Sequence, residues 1–176
     1  PFAKRAHLYK DGIRVITPSV RRTPPSSMSP RAKTHNYVNM VLADLEVKAQ
    51  DPQAWAVLLD TNGNLCEGAG SNIFLVKDGA IHSPNDRYTL EGISRQTVLD
   101  LARELDIETV ETDLDLFDAY NADEVFITST SLCICPVSNI NGAPVADGAI
   151  PGPVTARLER AYSGFVGLNI FDQYLS

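Results

Sequence analysis

Residues 54–83 decide the fold. They run Ala54-Trp55-Ala56-Val57-Leu58-Leu59-Asp60, then Thr61-Asn62-Gly63-Asn64, then Leu65-Cys66-Glu67-Gly68-Ala69-Gly70, then Ser71-Asn72-Ile73-Phe74-Leu75-Val76-Lys77, then Asp78-Gly79 and Ala80-Ile81-His82-Ser83. The apolar run from Ala54 to Asp60 suits a buried strand. Asn62-Gly63 is a strong short hairpin signal, because both central residues of the favoured turn need φ > 0. Leu65 to Glu67 and Ser71 to Lys77 read as further strands, and Asp78-Gly79 turns the chain into Ala80 to Ser83. Hairpin-linked strands following one another this closely make the region a sheet.

Helices flank it. Upstream, residues 12–20 read as a β-branched strand ended by Pro18, and residues 21–31 as a Pro- and Ser-rich loop. Val38, Val41, Leu42, Leu45 and Ala49 then recur at helical spacing, predicting a helix over about 36–50, stopped by Asp51-Pro52. Downstream, Val98, Leu101, Ala102 and Leu105 form one face of a helix over 94–105. Thr109 to Thr112 is a weak strand, Leu114 to Ala122 a short helix, and Glu124 to Thr130 and Cys133 to Val137 are strands. Val154, Leu158, Ala161, Tyr162 and Phe165 define a last helix. The expected class is mixed α/β (α+β) in one compact domain.

Composition narrows the functions. The length of 176 residues suits one domain. Acidic residues outnumber basic ones by 22 to 15, a net charge of −7 with no basic stripe, which argues against nucleic-acid binding. No stretch approaches the 18 apolar residues of a membrane span. Three cysteines, Cys66, Cys133 and Cys135, are too few for a disulfide framework and lack the spacing of a zinc site, so no metal is expected. They read as buried reduced thiols in strands, which points to the cytoplasm. His7, His35 and His82 show no ligand spacing, and neither a phosphate-cradling Gly-rich loop nor a serine nucleophile elbow occurs.

Four short segments say more than any single motif. They are Lys33-Thr34-His35-Asn36-Tyr37, Glu67-Gly68-Ala69-Gly70-Ser71-Asn72-Ile73-Phe74, Leu90-Glu91-Gly92-Ile93-Ser94-Arg95 and Thr128-Ser129-Thr130-Ser131. In this order and spacing the sequence resembles the class IV aminotransferases, from about residue 12 to the C-terminus. These fold-type IV pyridoxal-phosphate enzymes include branched-chain and D-amino-acid aminotransferases and (R)-amine transaminases. The resemblance implies the large domain of the D-amino-acid aminotransferase-like fold, with twisted mixed sheets forming a pseudo-barrel. It also implies that residues 1–176 are the C-terminal cofactor-binding domain. A small N-terminal domain, carrying a phosphate-gripping arginine and part of the carboxylate-recognition surface, would lie outside this chain.

Roles follow from the resemblance residue by residue. Lys33 would form the internal aldimine with pyridoxal 5'-phosphate and later shuttle the substrate's α-proton; without the family context it would be a solvated lysine. Glu67 would face the ring nitrogen and keep it protonated. Ile93 and Ser94 would open a helix whose free N–H groups and hydroxyl hold the phosphate, an end that could otherwise be an ordinary cap. Thr130 would reach the phosphate from the other side, Ser131 would sit beside the substrate carboxylate, and Leu90 would pack on the ring; the alternatives are strand-end hydroxyls and a core leucine. Tyr37 would donate to the ring's phenolate oxygen, although the common branched-chain pattern, Gly-Gly-Asn-Tyr, has one more residue after the lysine. Arg21 and Arg22 read as solvated or interface charges.

The resemblance implies transfer of an amino group from an amino donor to a 2-oxo acid, in a homodimer. Arg22-Thr23-Pro24-Pro25 and Pro136-Val137 look most like branched-chain members. D-amino-acid or (R)-amine transaminase is the alternative within the same reaction. Aminodeoxychorismate lyase is an alternative reaction on the same scaffold, but its more usual His-Leu-Asn-Arg after the lysine disagrees with Thr34-His35-Asn36-Tyr37. An inactive, truncated cofactor-binding module is the non-enzymatic alternative.

Overall fold

The computed structural model describes residues 5–172. Helix α1 (Ala6–Asp11) leads into strand β1 (Ile13–Ile16), and a long loop carries the chain to α2 (Val38–Gln50). Strands β2 (Trp55–Leu59), β3 (Leu65–Gly68), β4 (Ser71–Lys77) and β5 (Ala80–Pro84) follow. Then come α3 (Ile93–Glu104), β6 (Thr109–Thr112), α4 (Leu116–Tyr120), β7 (Glu124–Ser129), β8 (Cys133–Ile140), the short β9 (Ala143–Pro144) and α5 (Pro153–Val166).

Six strands close on themselves. Their order is β3-β2-β1-β8-β7-β4, and β4 pairs back to β3, so the ring has no free edge. Strand β1 runs parallel to both β2 and β8, and the other ring pairings are antiparallel. Strands β5 and β6 extend the sheet beyond β4. The expected mixed pseudo-barrel is what forms.

Strand periodicity sorts side chains into two cores. Ile13, Val57, Leu65, Ile73, Ile127 and Val137, one from each ring strand, fill the barrel interior with Val15, Leu59, Leu75 and Cys135. The alternate residues Phe74, Val76, Phe126 and Ile134 face outward and are covered by Val98, Leu101 and Ala102 of α3 and Leu158 and Tyr162 of α5. Both faces of β4 and β7 are therefore buried, which is why they read as continuous apolar runs. The stacked Phe74 and Phe126 rings, 4.9 Å between centroids, join the two strands.

Helix α2 departs from the expectation that an apolar stripe faces a core. Met40, Ala43 and Val47 pack against Ala54, Ala56 and Leu58 of β2 and its approach. The stripe read from the sequence points out: Val38 is 66%, Val41 52%, Leu42 51% and Leu45 61% exposed. The helix is apolar on two sides, and its periodicity does not say which side the barrel takes.

Two other elements differ from expectation. Helix α1 and the two-residue β9 have no strong periodic signal. Cys66 and Cys135 are buried in strands as expected, but Cys133 at the start of β8 is half-buried, and no disulfide forms among the described residues. No helix among the described residues is long and apolar enough to cross a membrane.

Candidate active site

A cavity of about 480 Å³ opens at one end of the barrel, between the loop preceding α2 and the start of α3. That volume lies in the range of small-molecule and cofactor sites. Its floor is a row across three strands, because Glu67 pairs with Asn72 and Asn72 with Thr128 in the register of β3, β4 and β7. Directly opposed residues share a face, so all three side chains meet the cavity. Strict alternation would put Glu67 on the same side as Leu65, inside the barrel. Between the pairs Val57–Gly68 and Leu59–Leu65, however, β3 carries one residue more than β2. This bulge reverses the alternation, so that Leu65 points inward and Glu67 into the cavity.

Glu67 is buried and fully engaged. One oxygen, Oε2, accepts the Leu90 backbone N–H at 2.8 Å, and Oε1 accepts Arg22 Nε at 2.9 Å. Burial raises its pKa above the ordinary carboxyl value, while the Leu90 N–H and the Arg22 guanidinium pull it back. Gly68 has to be glycine, since a Cβ there would overlap Ser71 Oγ and crowd the Ala56 carbonyl.

The segment from Leu90 to Ser94 is strapped down by Asn72, whose Nδ2 donates to the Leu90 carbonyl at 3.0 Å. A Cβ at Gly92 would overlap Asn72 Oδ1, so the close approach depends on that glycine. Gly92 caps α3 without any side-chain capping bond, leaving the first helical N–H groups available to an anion. Ser94 is buried on the cavity wall. Behind it, buried Arg95 anchors the first turn through Ser83 Oγ at 3.1 Å and Glu111 Oε2 at 2.5 Å.

Lys33 and Tyr37 face the same cavity from the loop before α2. His35 bends this loop with φ +61 and stacks on the Tyr37 ring at 5.8 Å. Thr130, just past β7, completes the wall. The cavity thus brings together six of the eight residues singled out in the sequence: Lys33, Tyr37, Glu67, Leu90, Ser94 and Thr130. The other two lie apart from the wall. The Ile93 side chain is 83% exposed, leaving its backbone at the helix start. Ser131 accepts a hydrogen bond from Arg5 at 3.0 Å and lies 3.4 Å from Ser129 Oγ.

One expectation is corrected. Arg21 is exposed, as expected, but Arg22 is not a solvated or interface charge. It is half-buried, lines the cavity and pairs with Glu67. The two residues are 45 positions apart, and no local pattern joins them. Asn72 and Thr128 also join the site; both lie in the quoted segments, but nothing in the sequence marks either one. The Thr128 hydroxyl is fully buried, with no hydrogen-bond partner among the described residues.

The family model for class IV amino-transferases matches residues 1–140. The chain belongs to this family. It is 37% identical over 161 residues to the Escherichia coli branched-chain-amino-acid aminotransferase, covering 90% of this chain and 52% of that protein. Among solved structures it is similar to a T.th. branched-chain amino acid aminotransferase complexed with N-(5'-phosphopyridoxyl)-L-glutamate, with a TM-score of 0.84 and 39% identity over 89% of this chain and 52% of that one. The same enzyme with pyridoxamine 5'-phosphate gives 0.83 and 38%, over 90% and 53%. The chain spans about half the length of these relatives, and family membership rests on that half.

Proposed function

We propose that this chain is the cofactor-binding part of a pyridoxal-phosphate-dependent aminotransferase of the branched-chain type, moving an amino group from an amino acid to a 2-oxo acid. The observation that carries the reading is the convergence of Lys33, a buried Glu67 carboxylate, an uncapped helix start and the Thr130 hydroxyl on one cavity. The branched-chain names of the relatives described above support the substrate class.

The residues present fit the group. A phosphate dianion suits the N–H groups at the start of α3 and the Ser94 hydroxyl, with Thr130 opposite. The buried, unpartnered Thr128 hydroxyl adds a polar atom to the cavity floor. A ring nitrogen suits the Glu67 carboxylate, and Leu90 offers an apolar surface for a ring face. When bound, pyridoxal phosphate supplies an electron-withdrawing ring that stabilises charge left on the substrate's α-carbon.

The protein's part is positioning and proton transfer. Lys33 Nζ would hold the cofactor covalently, and its amine, once free, would carry a proton as a general base. Glu67, ionised beside the ring nitrogen, would hold it positive. Tyr37 would donate to the ring oxygen, and Ser131, just outside the cavity wall, would sit beside the substrate carboxylate. The exposed apolar face of α2 supports a homodimer. The buried thiols of Cys66 and Cys135 suit a reducing cytoplasm.

Borohydride reduction after addition of pyridoxal phosphate tests the assignment. Peptide mapping should place the reduced adduct on Lys33, and Lys33→Ala should remove it. An adduct at another lysine, or none at all, sinks the reading.

A further inference from the structure

We propose that Arg22 is a positioning residue of this site, holding Glu67 ionised and aimed into the cavity so that the ring nitrogen of the cofactor meets an anion. The inference rests on the function proposed above but concerns a residue to which that function gives no part. It stands on geometry. Arg22 Nε donates to Glu67 Oε1 at 2.9 Å, and the two side chains are only 13% and 6% exposed. An opposite charge this close, with little solvent between, strongly favours the ionised form of a buried carboxyl.

The backbone that carries the guanidinium is held at three points. The Arg22 N–H donates to the Leu59 carbonyl of β2 at 2.8 Å. Asn39, in the first turn of α2, donates to the Arg21 carbonyl at 2.7 Å and accepts the Thr23 N–H at 3.2 Å, so it clamps the chain on both sides of Arg22. The same helix turn follows Lys33 and Tyr37 in the chain. One element therefore fixes the nucleophile's loop and, through Asn39, the charge that sets the carboxylate.

Without Arg22, Glu67 would keep its burial and the single Leu90 N–H. Burial, already the largest influence on Glu67, would then be opposed by that one N–H alone, and the carboxyl would keep its proton to higher pH. A neutral Glu67 cannot hold a ring nitrogen positive. The other titratable side chains around the cavity are Lys33, His35 and Tyr37 from the loop before α2, with Cys66 adjacent to Glu67 in β3. Among the described residues, Arg22 is the cation hydrogen-bonded to Glu67.

The test needs no cofactor. The 176-residue chain is labelled with ¹³C at glutamate carboxyls, and the Glu67 signal is assigned by its loss in Glu67→Gln. Its titration midpoint is then followed by NMR. Arg22→Met should raise the midpoint by about one pH unit or more, Arg22→Lys should restore most of the native value, and Asn39→Ala should raise it part-way. A native midpoint in Arg22→Met overturns the proposal. If Arg22→Met does not fold, a native midpoint in Asn39→Ala overturns it instead. Neither result touches the borohydride mapping of Lys33, so the two readings fail separately.

Discussion

Glu159 sits on α5 with 2% of its surface exposed, and its Oε1 has no hydrogen-bond partner among the described residues. Burial pushes its carboxyl up to about 8, with Arg160 pulling it back and Glu124 adding to the rise. Glu124 itself is committed elsewhere, accepting the Val154 and Thr155 N–H groups at 2.8 Å each and so capping α5. Between the ordinary carboxyl value and pH 8, the folded chain keeps a proton on Glu159 that the unfolded chain has lost. Stability should therefore fall as pH rises through that window, by up to about 1.4 kcal/mol per pH unit for this one group. Glu159→Gln should flatten the dependence of Tm on pH between about 5 and 8. A slope equal to the native one would show that Glu159 does not titrate in this way.

Gly92 is the second position where one atom matters. An alanine methyl there would overlap Asn72 Oδ1 and push the Leu90–Ser94 strap off the cavity floor. The expected cost is about 1–3 kcal/mol of stability from overpacking. A misplaced strap should also lower turnover of the cofactor-loaded protein by up to about 100-fold. Unchanged denaturation and kinetics in Gly92→Ala would mean that the strap tolerates movement.

Among the α-helices described, α4 is the shortest yet stands on a complete cap. Asp115 accepts the Phe117 N–H at 2.7 Å and the Asp118 N–H at 3.2 Å, and Asp118 returns a bond to the Asp115 N–H at 2.9 Å. A helix of five residues cannot support itself by propensity. Its anchor is Ala119, inserted in the barrel core with Leu114 just upstream. Asp115→Ala should cost about 1 kcal/mol, measured by urea denaturation.

The same elements show what a sequence can reveal. Strands β4 and β6 fall where their β-branched and apolar residues put them, because local chemistry alone specifies a strand between marked turns. Asn62-Gly63 and Asn141-Gly142 mark such turns through the positive φ found at Gly63, Asn141 and Gly142. Helix α1 is not legible, because six residues carry less than two turns of periodicity. The β3 bulge is hidden because it depends on pairing with β2, and the role of Arg22 because its partner is distant in the chain. Lys33, Glu67 and Ser94 stand out through joint likeness to a family; their individual surroundings carry no comparable signal.

At the scale of the whole molecule, the barrel and its two helical coats account for the buried surface, while α2 presents Val38, Val41, Leu42 and Leu45 to solvent. A contiguous apolar stripe of this kind suits the interface of the proposed homodimer. Trp55 and Met40 line a shallow groove beside it that also reaches Tyr37 and Gly70 on the rim of the main cavity. Association there would cover one wall of the site. If the proposed homodimer forms through this face, the double variant Val41→Glu, Leu45→Glu should shift sedimentation in analytical ultracentrifugation toward monomer without unfolding the chain, since both side chains are exposed. A variant that sediments like the native chain would place the association surface elsewhere.

The bulge in β3 makes the orientation of Glu67 a matter of counting. Deleting Cys66 would take out the surplus residue and leave Leu65, Glu67 and Gly68 in plain alternation, with Leu65 and Gly68 toward the lumen and the carboxylate still toward the cleft. The acid's aim is therefore set by its step from Gly68, and the surplus residue is absorbed on the other side, between it and Leu65.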